Sequence, residues 1–277
     1  WSFGKTGWAE LAGQVLGESA SWCGRTQMLW WIDIRAPQVK RWNSATGAID
    51  VWTMPELCGA VVPTTGDAVV VALRACIVLL DPRTGTLTPL ATLETGHPKH
   101  RLNEAKCDRQ GRLWCGSMWD FGIHSTGGLY RVATDLETRK VRSAVGIPNG
   151  IGFSPDGRRM VFVDTSTRCI ESAAYDIDAG MPGPWSILVG ADAAPGKPDG
   201  NAVDADGCIW STRFGAGCIA RFTPQGKLDR LIRLPVSQPT SCAFGGPNLD
   251  TLFVTSATQR LLPEALAAEP LAGALVA

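Results

Sequence analysis

The sequence predicts an all-β fold, a six-bladed β-propeller with about four antiparallel strands per blade, running as a single domain over residues 1–277. Three observations predict it. A turn-plus-strand phrase recurs at intervals of roughly 40–50 residues, the period expected of a propeller. The 31 glycines and 18 prolines are spread along the chain, which suits many tight turns and short strands and argues against long helices. Finally, no linker-like stretch divides the chain.

The clearest copies of the phrase are DRQGRLWCGSMW from Asp108, SPDGRRMVFVDT from Ser154 and DADGCIWSTRF from Asp204. In each, Asp-x-x-Gly or Pro-Asp-Gly supplies the tight turn, and alternating Leu, Ile, Val and Trp supply a half-buried strand. Looser copies are CGRTQMLWWID from Cys23, PTTGDAVVVAL from Pro63 and GGPNLDTLFVTS from Gly245, which brings the count to six. Most copies continue into a second hairpin, with turns at 43–47, 81–85 and 223–226. A β-sandwich with a second domain would not require the same phrase six times.

Composition excludes several functions. A formal charge of zero with 19% charged residues leaves no nucleic-acid footprint and no polybasic membrane patch. No stretch reaches the roughly 18 apolar residues of a membrane span. The longest apolar run, AVVVALRACIVLL, is broken by Arg74 and reads as two strands. The nine cysteines form no C-x-x-C pair, and the histidines number three, so a structural zinc cluster is not expected. Buried free thiols in a reducing, cytoplasmic compartment are the simpler reading. The chain starts at Trp1 without a methionine, which is compatible with a removed targeting segment. Neither a G-x-S-x-G nucleophile motif nor a glycine-rich nucleotide fingerprint occurs, so covalent catalysis and NAD or ATP dependence are not expected.

Counting back seven residues from the turn of each copy reaches Glu18, Cys58, Asn103, Asn149, Asp199 and Ser241. If each copy is one blade, these positions are equivalent, one strand length of about 23 Å from the turn and near the mouth of the central channel. Four of them hold Glu, Asn, Asn and Asp. Together they make a cluster of hard oxygen ligands with two carboxylates, suited to calcium, magnesium or manganese and less to zinc. Gly150 after Asn149 and Gly200 after Asp199 would allow unusual dihedrals and close approach. For any single Asn-Gly or Asp-Gly a plain turn is the commoner explanation, but a turn does not explain oxygen side chains in four equivalent slots.

The chain resembles the gluconolactonase and regucalcin (senescence marker protein) family of six-bladed propeller lactonases. The resemblance lies in LGESASW at 16–22, HRLNEAKCDRQGRLWCGSMWD at 100–120, GIPNGIGFSPDG at 146–157, KPDGNAVDADGCIW at 197–210 and LPVSQPTSCAFGG at 234–246. It implies one divalent cation, calcium foremost with magnesium, manganese or zinc as alternatives, held by Glu18, Asn149 and Asp199. It also implies substrate contacts from Arg101, Asn103 and Asp120, and hydrolysis of a sugar-acid lactone with Asp199 as general acid/base. The chain departs from the family pattern at Ala20, where proline is usual, and at Glu104 and Asp120, where Asp and Glu respectively are commoner. It also ends in PLAGALVA, near where the closing strand is completed, which points to a last blade trimmed or closed differently.

Lactone hydrolysis needs a polarised carbonyl, an activated water and a proton for the leaving alkoxide. A cation with open positions polarises the carbonyl. Asp199 can shuttle the proton if only one of its oxygens binds the ion, and hydroxide on the cation is the other candidate nucleophile. Arg101 suits a carboxylate or vicinal hydroxyls. His97 and His100 flank Arg101 and are expected to lie behind the site. The expected partner is a small sugar lactone, with the protein a monomer or weak homo-oligomer that binds neither nucleic acid nor membrane. The rival readings are a non-catalytic calcium-binding propeller and a paraoxonase-like esterase or phosphotriesterase; Arg101 argues against the more apolar pocket of the latter.

Overall fold

In the computed structural model, residues 13–94 and 97–277 are described; Trp1 lies outside them. Five antiparallel sheets follow one another along the chain. The first comprises β1 (Gly17–Cys23), β2 (Met28–Asp33), β3 (Gln38–Asn43) and β4 (Ile49–Thr53). The second comprises β5 (Ala60–Pro63), β6 (Val69–Ala72), β7 (Cys76–Leu80) and β8 (Leu87–Thr92). The third comprises β9 (His100–Cys107), β10 (Leu113–Trp119), β11 (Gly127–Val132) and β12 (Thr138–Val145). In the fourth, β13 (Pro148–Phe153), β14 (Arg159–Asp164) and β15 (Cys169–Asp176) are followed by β16 (Met181–Pro182) and β17 (Ser186–Val189), which both pair with β15. The fifth holds β18 (Lys197–Val203), β19 (Ile209–Phe214), β20 (Cys218–Phe222) and β21 (Leu228–Arg233).

The all-β propeller expected from the repeats is present, but the expected six blades are corrected to five. Among the described residues the sixth repeat builds only a two-stranded sheet, β22 (Pro239–Gly245) with β23 (Thr251–Ser256). The physical reason lies in the segment that follows. QRLLPEALAAEP is rich in Leu, Ala and Glu, which favour helix, and Pro263 has no N–H to give a ladder. The chain therefore turns into a short helix, α1 (Pro263–Ala268), and then rejoins the sheet through the isolated bridge Val254–Val276 and a hydrogen bond from Ser256 Oγ to the Ala274 carbonyl, without adding a strand. The first strand of each blade packs against the next, and β22 lies between β18 and β1, so the small sheet closes the ring. A bridge from Leu16 to Ala257 and a hydrogen bond from Thr240 Oγ1 to the Gly17 carbonyl join its two sides.

The sheets pack through apolar faces that the period-2 pattern sets out in advance. Between the first two blades Trp30, Ile32, Val39, Val61 and Val71 form one buried cluster. Trp114, Leu129, Ile151, Phe162 and Tyr175 form another between the third and fourth.

The repeated phrase also carries a register irregularity. In β13, Asn149 faces Val163 and Gly152 faces Val161, so Gly150 and Ile151 stand opposite Phe162 alone. The same excess of two residues over one occurs at 19–20, 103–104, 199–200 and 240–241. Each is a β-bulge on the innermost strand, within a residue or two of the slots found by counting. A bulge turns side chains that would lie in the sheet toward its edge, here toward the channel. The glycines serve this bend differently. Gly150 has φ +51°, and a Cβ there would sit 2.4 Å from Val163 Cγ2 and 2.8 Å from Asn201 Nδ2. Gly200 keeps an ordinary φ, but its Cβ would lie 2.8 Å from the Ser241 Cα in the neighbouring sheet. Unusual dihedrals are thus confirmed at Gly150 only, and close approach at both.

Candidate functional site

Glu18, Asn103, Asn149 and Asp199 all line one cavity of about 180 Å³ at the inner-strand ends, together with Arg101 and Asp120. All six residues named from the sequence therefore meet in one place. The remaining two slots do not reach it. Cys58 lies before β5 with its thiol against the carbonyls of Asp33 and Gln38, and burial pushes that thiol up to about 12. Ser241 is buried, and its N–H is held by Thr255 Oγ1.

Two buried carboxylates share the floor of this cavity with little to compensate them. Burial, followed by the charge of Glu104, pushes Glu18 up to about 8. Burial, then Glu18 and Glu104, raises Asp199 well above the usual carboxylate range. The Ser19 N–H holds one oxygen of Glu18 at 3.1 Å, whereas Asp199 Oδ1 is buried without any hydrogen-bond partner. Orphaned buried oxygens are rare, and two buried carboxylates that share the charge of one arginine, Arg101, are expensive. A divalent cation would satisfy both deficits, and the oxygen-only set of two carboxylates and the Asn149 amide suits a hard ion. Among the described residues no histidine or cysteine lines the cavity. No three His, Cys, Asp or Glu side chains form a metal-sized group among the described residues, so a cation here would need the amide as its third protein ligand.

The amide is oriented by its neighbours. Asn149 Nδ2 donates to Thr165 Oγ1 at 2.9 Å, and Thr165 Oγ1 donates to the Pro198 carbonyl at 2.7 Å, next to Asp199. Asn149 Oδ1 accepts from Asn103 Nδ2 at 2.8 Å, a bond that leaves this oxygen a second lone pair. Behind the bulge, Glu104 accepts the N–H groups of Gly150 at 2.7 Å and Ile151 at 3.0 Å. Burial lifts Glu104 above its usual range against the pull of Lys106 and those two donors.

Substitution Thr165→Val removes both of the hydroxyl's bonds while keeping its shape. The expected result is a cation affinity about 10–100-fold weaker by calorimetric titration, the usual effect of losing a ligand's supporting contact. Unchanged affinity would show that Asn149 is oriented without Thr165.

Arg101 is buried, with Nε donating to Asp120 Oδ1 at 2.8 Å and Nη1 donating to the Leu102 carbonyl and to Asn103 Oδ1. Asp120 is gripped from its other side by Arg35, at 3.1 Å to Oδ2 and 3.0 Å to Oδ1. Burial opposes charge on Asp120, but the hydrogen bonds from Arg35 and the charges of Arg101 and Arg35 hold it below its usual range. Both Asp120 oxygens are thus engaged, and the carboxylate fixes Arg101 in place. Asn103, committed to Arg101, Asn149 and the Pro148 carbonyl, links the arginine to the amide.

Sequence reasoning missed Arg35, Thr165, Asp33, Asp164 and Arg213. Asp33 and Asp164, at the ends of β2 and β14, accept the N–H groups of residues 15–16 and 146–147, the approaches to Glu18 and Asn149. Arg213, at 1% exposure, does the reverse. Its guanidinium donates to the carbonyls of Pro195, Ala194 and Gly196 on the approach to Asp199. A buried Asp at the close of a strand is readable as unusual, but no local pattern tells which loop it holds. His100 is buried, with Nε2 3.0 Å from Thr126 Oγ1, and His97 stacks on it; neither lines the cavity, as expected.

Fold and site together define a β-propeller with a cavity, lined by carboxylates, amides and arginines, at the ends of its inner strands. The family model described as SMP-30/Gluconolactonase/LRE-like region matches residues 16–258, and the chain belongs to that family. It is 35% identical to a 6-deoxy-6-sulfogluconolactonase of Pseudomonas putida over 95% of this chain and 90% of the relative. It is also 35% identical to an L-arabinolactonase of Azospirillum brasilense over 94% of this chain and 86% of the relative. The crystal structure of a calcium-binding protein, regucalcin, from Agrobacterium tumefaciens superposes with a TM-score of 0.93 at 30% identity, covering 97% of this chain and 91% of that one.

Proposed function

We propose that this propeller is a divalent-cation-dependent sugar lactonase, a carboxylic-ester hydrolase acting on an aldonic or aldaric acid lactone. The observation that carries the reading is the pair of buried carboxylates Glu18 and Asp199, only partly offset by Arg101, beside an oriented amide, with Asp199 Oδ1 unpartnered. Family membership and the lactonase names of the relatives support it. Glu18, Asn149 and Asp199 hold the ion, which when bound supplies Lewis-acid polarisation of the lactone carbonyl. Calcium is the proposed ion, because the donors are all oxygen.

The rest of the chemistry falls to side chains of this chain. Arg101, with Nε and Nη1 committed, turns Nη2 to the lactone's hydroxyl or carboxylate oxygens. Asn103 and Asp120 hold Arg101 in register, and Asn103 completes the substrate contact through the remaining lone pair of Oδ1. With one oxygen of Asp199 holding the ion, its other oxygen takes a proton from the attacking water and returns it to the ring oxygen as the carbon–oxygen bond breaks. We further propose that the chain works as a single domain, as a monomer or weak homo-oligomer in the cytoplasm, without nucleic acid or membrane. All nine cysteines being free supports a reducing compartment.

The test is proton release from a panel of sugar lactones by chelator-treated protein supplied with calcium, magnesium, manganese or zinc. Activity is expected to vanish on chelation and to return with a hard cation. Failure of every cation to restore hydrolysis of any lactone would overturn the reading and favour a non-catalytic calcium-binding propeller.

A further inference from the structure

Two cations of the cavity wall are left over by this account. Lys197 and Arg260 both line the cavity, and their side chains have no ion pair or hydrogen bond among the described residues. Each is delivered by a pinned backbone. Lys197 follows Ala194–Gly196, whose three carbonyls are tied down by the buried Arg213 guanidinium. Arg260 stands in the left-handed region at φ +67°, unfavourable for a residue with a side chain. Its neighbour Gln259 is held through its side chain by Arg35 at 3.0 Å, through its carbonyl by Gln238 at 3.0 Å and through its N–H by the Val15 carbonyl at 2.9 Å. Backbone strain persists where the surroundings over-determine it, and such positions gather at ligand sites.

The charge balance points the same way. The cavity wall carries Arg35, Arg101, Lys197 and Arg260 against Glu18, Asp120 and Asp199. Asp120 is used by Arg35 and Arg101, and the other two carboxylates are the cation's ligands. With an ion in place the wall would carry a net positive charge, and its two rim cations have no ion pair among the described residues. A neutral lactone would leave them so.

Building on the lactonase reading, we propose that Lys197 and Arg260 form a rim subsite for a fixed negative charge on the substrate: a carboxylate, sulfonate or phosphate ester borne by a carbon remote from the lactone carbonyl. The occupant is an acidic sugar lactone, and the two cations set specificity without touching the reacting atoms.

Matched lactones test this. The neutral aldonic acid lactone is compared with counterparts carrying a terminal carboxylate, sulfonate or phosphate, using wild type and the Lys197→Ala, Arg260→Ala and double variants. Wild type is expected to favour at least one acidic lactone in kcat/KM. The double variant should lose about two- to thirtyfold of that preference, the value of two exposed ion pairs, while the neutral lactone is turned over as before. The preference should also weaken as salt is raised. The acidic arm that suffers most identifies the group recognised. A wild-type preference for the neutral lactone, or a preference that survives the double substitution, overturns the subsite and leaves the lactonase reading intact. Absence of hydrolysis of every lactone overturns both. Thermal melts confirm that the variants fold.

Discussion

Asp199→Asn is expected to reduce lactone hydrolysis at saturating cation by about 10²–10⁴-fold, the range typical of losing a general acid/base. Asparagine keeps the shape and one oxygen for the ion but cannot carry the proton that the second carboxylate oxygen of Asp199 is proposed to accept. The loss should therefore appear in kcat more than in KM, and calcium binding should weaken without disappearing. Steady-state kinetics beside calorimetric titration checks both. A kcat within tenfold of wild type would remove Asp199 from the proton transfer and leave it as a ligand only.

The cation-free protein is expected to lose thermal stability as pH rises from about 5 to about 8, and bound calcium should flatten that slope. Glu18 has its folded-state value raised from 4.5 to about 8, chiefly by burial. The fold therefore prefers the protonated acid. Stability from this group is complete below about 4.5 and is lost as pH climbs through about 8, since the native state binds more protons than the unfolded chain across that window. Asp199 is shifted in the same direction by burial and by Glu18. Each pH unit inside the window costs about 1.4 kcal/mol per proton, or roughly 3 °C of melting temperature. The cation replaces the missing protons with positive charge and stabilises the native state by mass action, about 2.7 kcal/mol at a hundredfold excess over Kd. Melting curves of chelated and calcium-loaded protein at several pH values measure this. A flat profile in the chelated protein would mean that the two carboxylates are compensated by something other than an ion.

Much of the site was legible because a propeller repeats itself. Equivalent positions share one distance from their turn, so the oxygen residues at Glu18, Asn103, Asn149 and Asp199 could be aligned without coordinates, and all four do line the cavity. The same symmetry misled at the sixth repeat. GGPNLDTLFVTS has the phrase, but QRLLPEALAAEP after it favours helix, and five blades result where repetition promised six. Arg35 was invisible for a different reason. It follows Asp33 by two residues, in a turn like many others, and acquires its role only where the third blade brings Asp120 against it.

The sequence by itself determined which residue types could do the chemistry, because turn chemistry and strand period are local and repeat along the chain. Tertiary structure decided how they are held. Bulges turn the slots toward the channel, Thr165 sets the face of an amide, and Arg35 and Arg101 share one carboxylate between two blades. Those contacts join residues far apart in the chain, and burial is what makes their charges matter, so no local pattern could announce them.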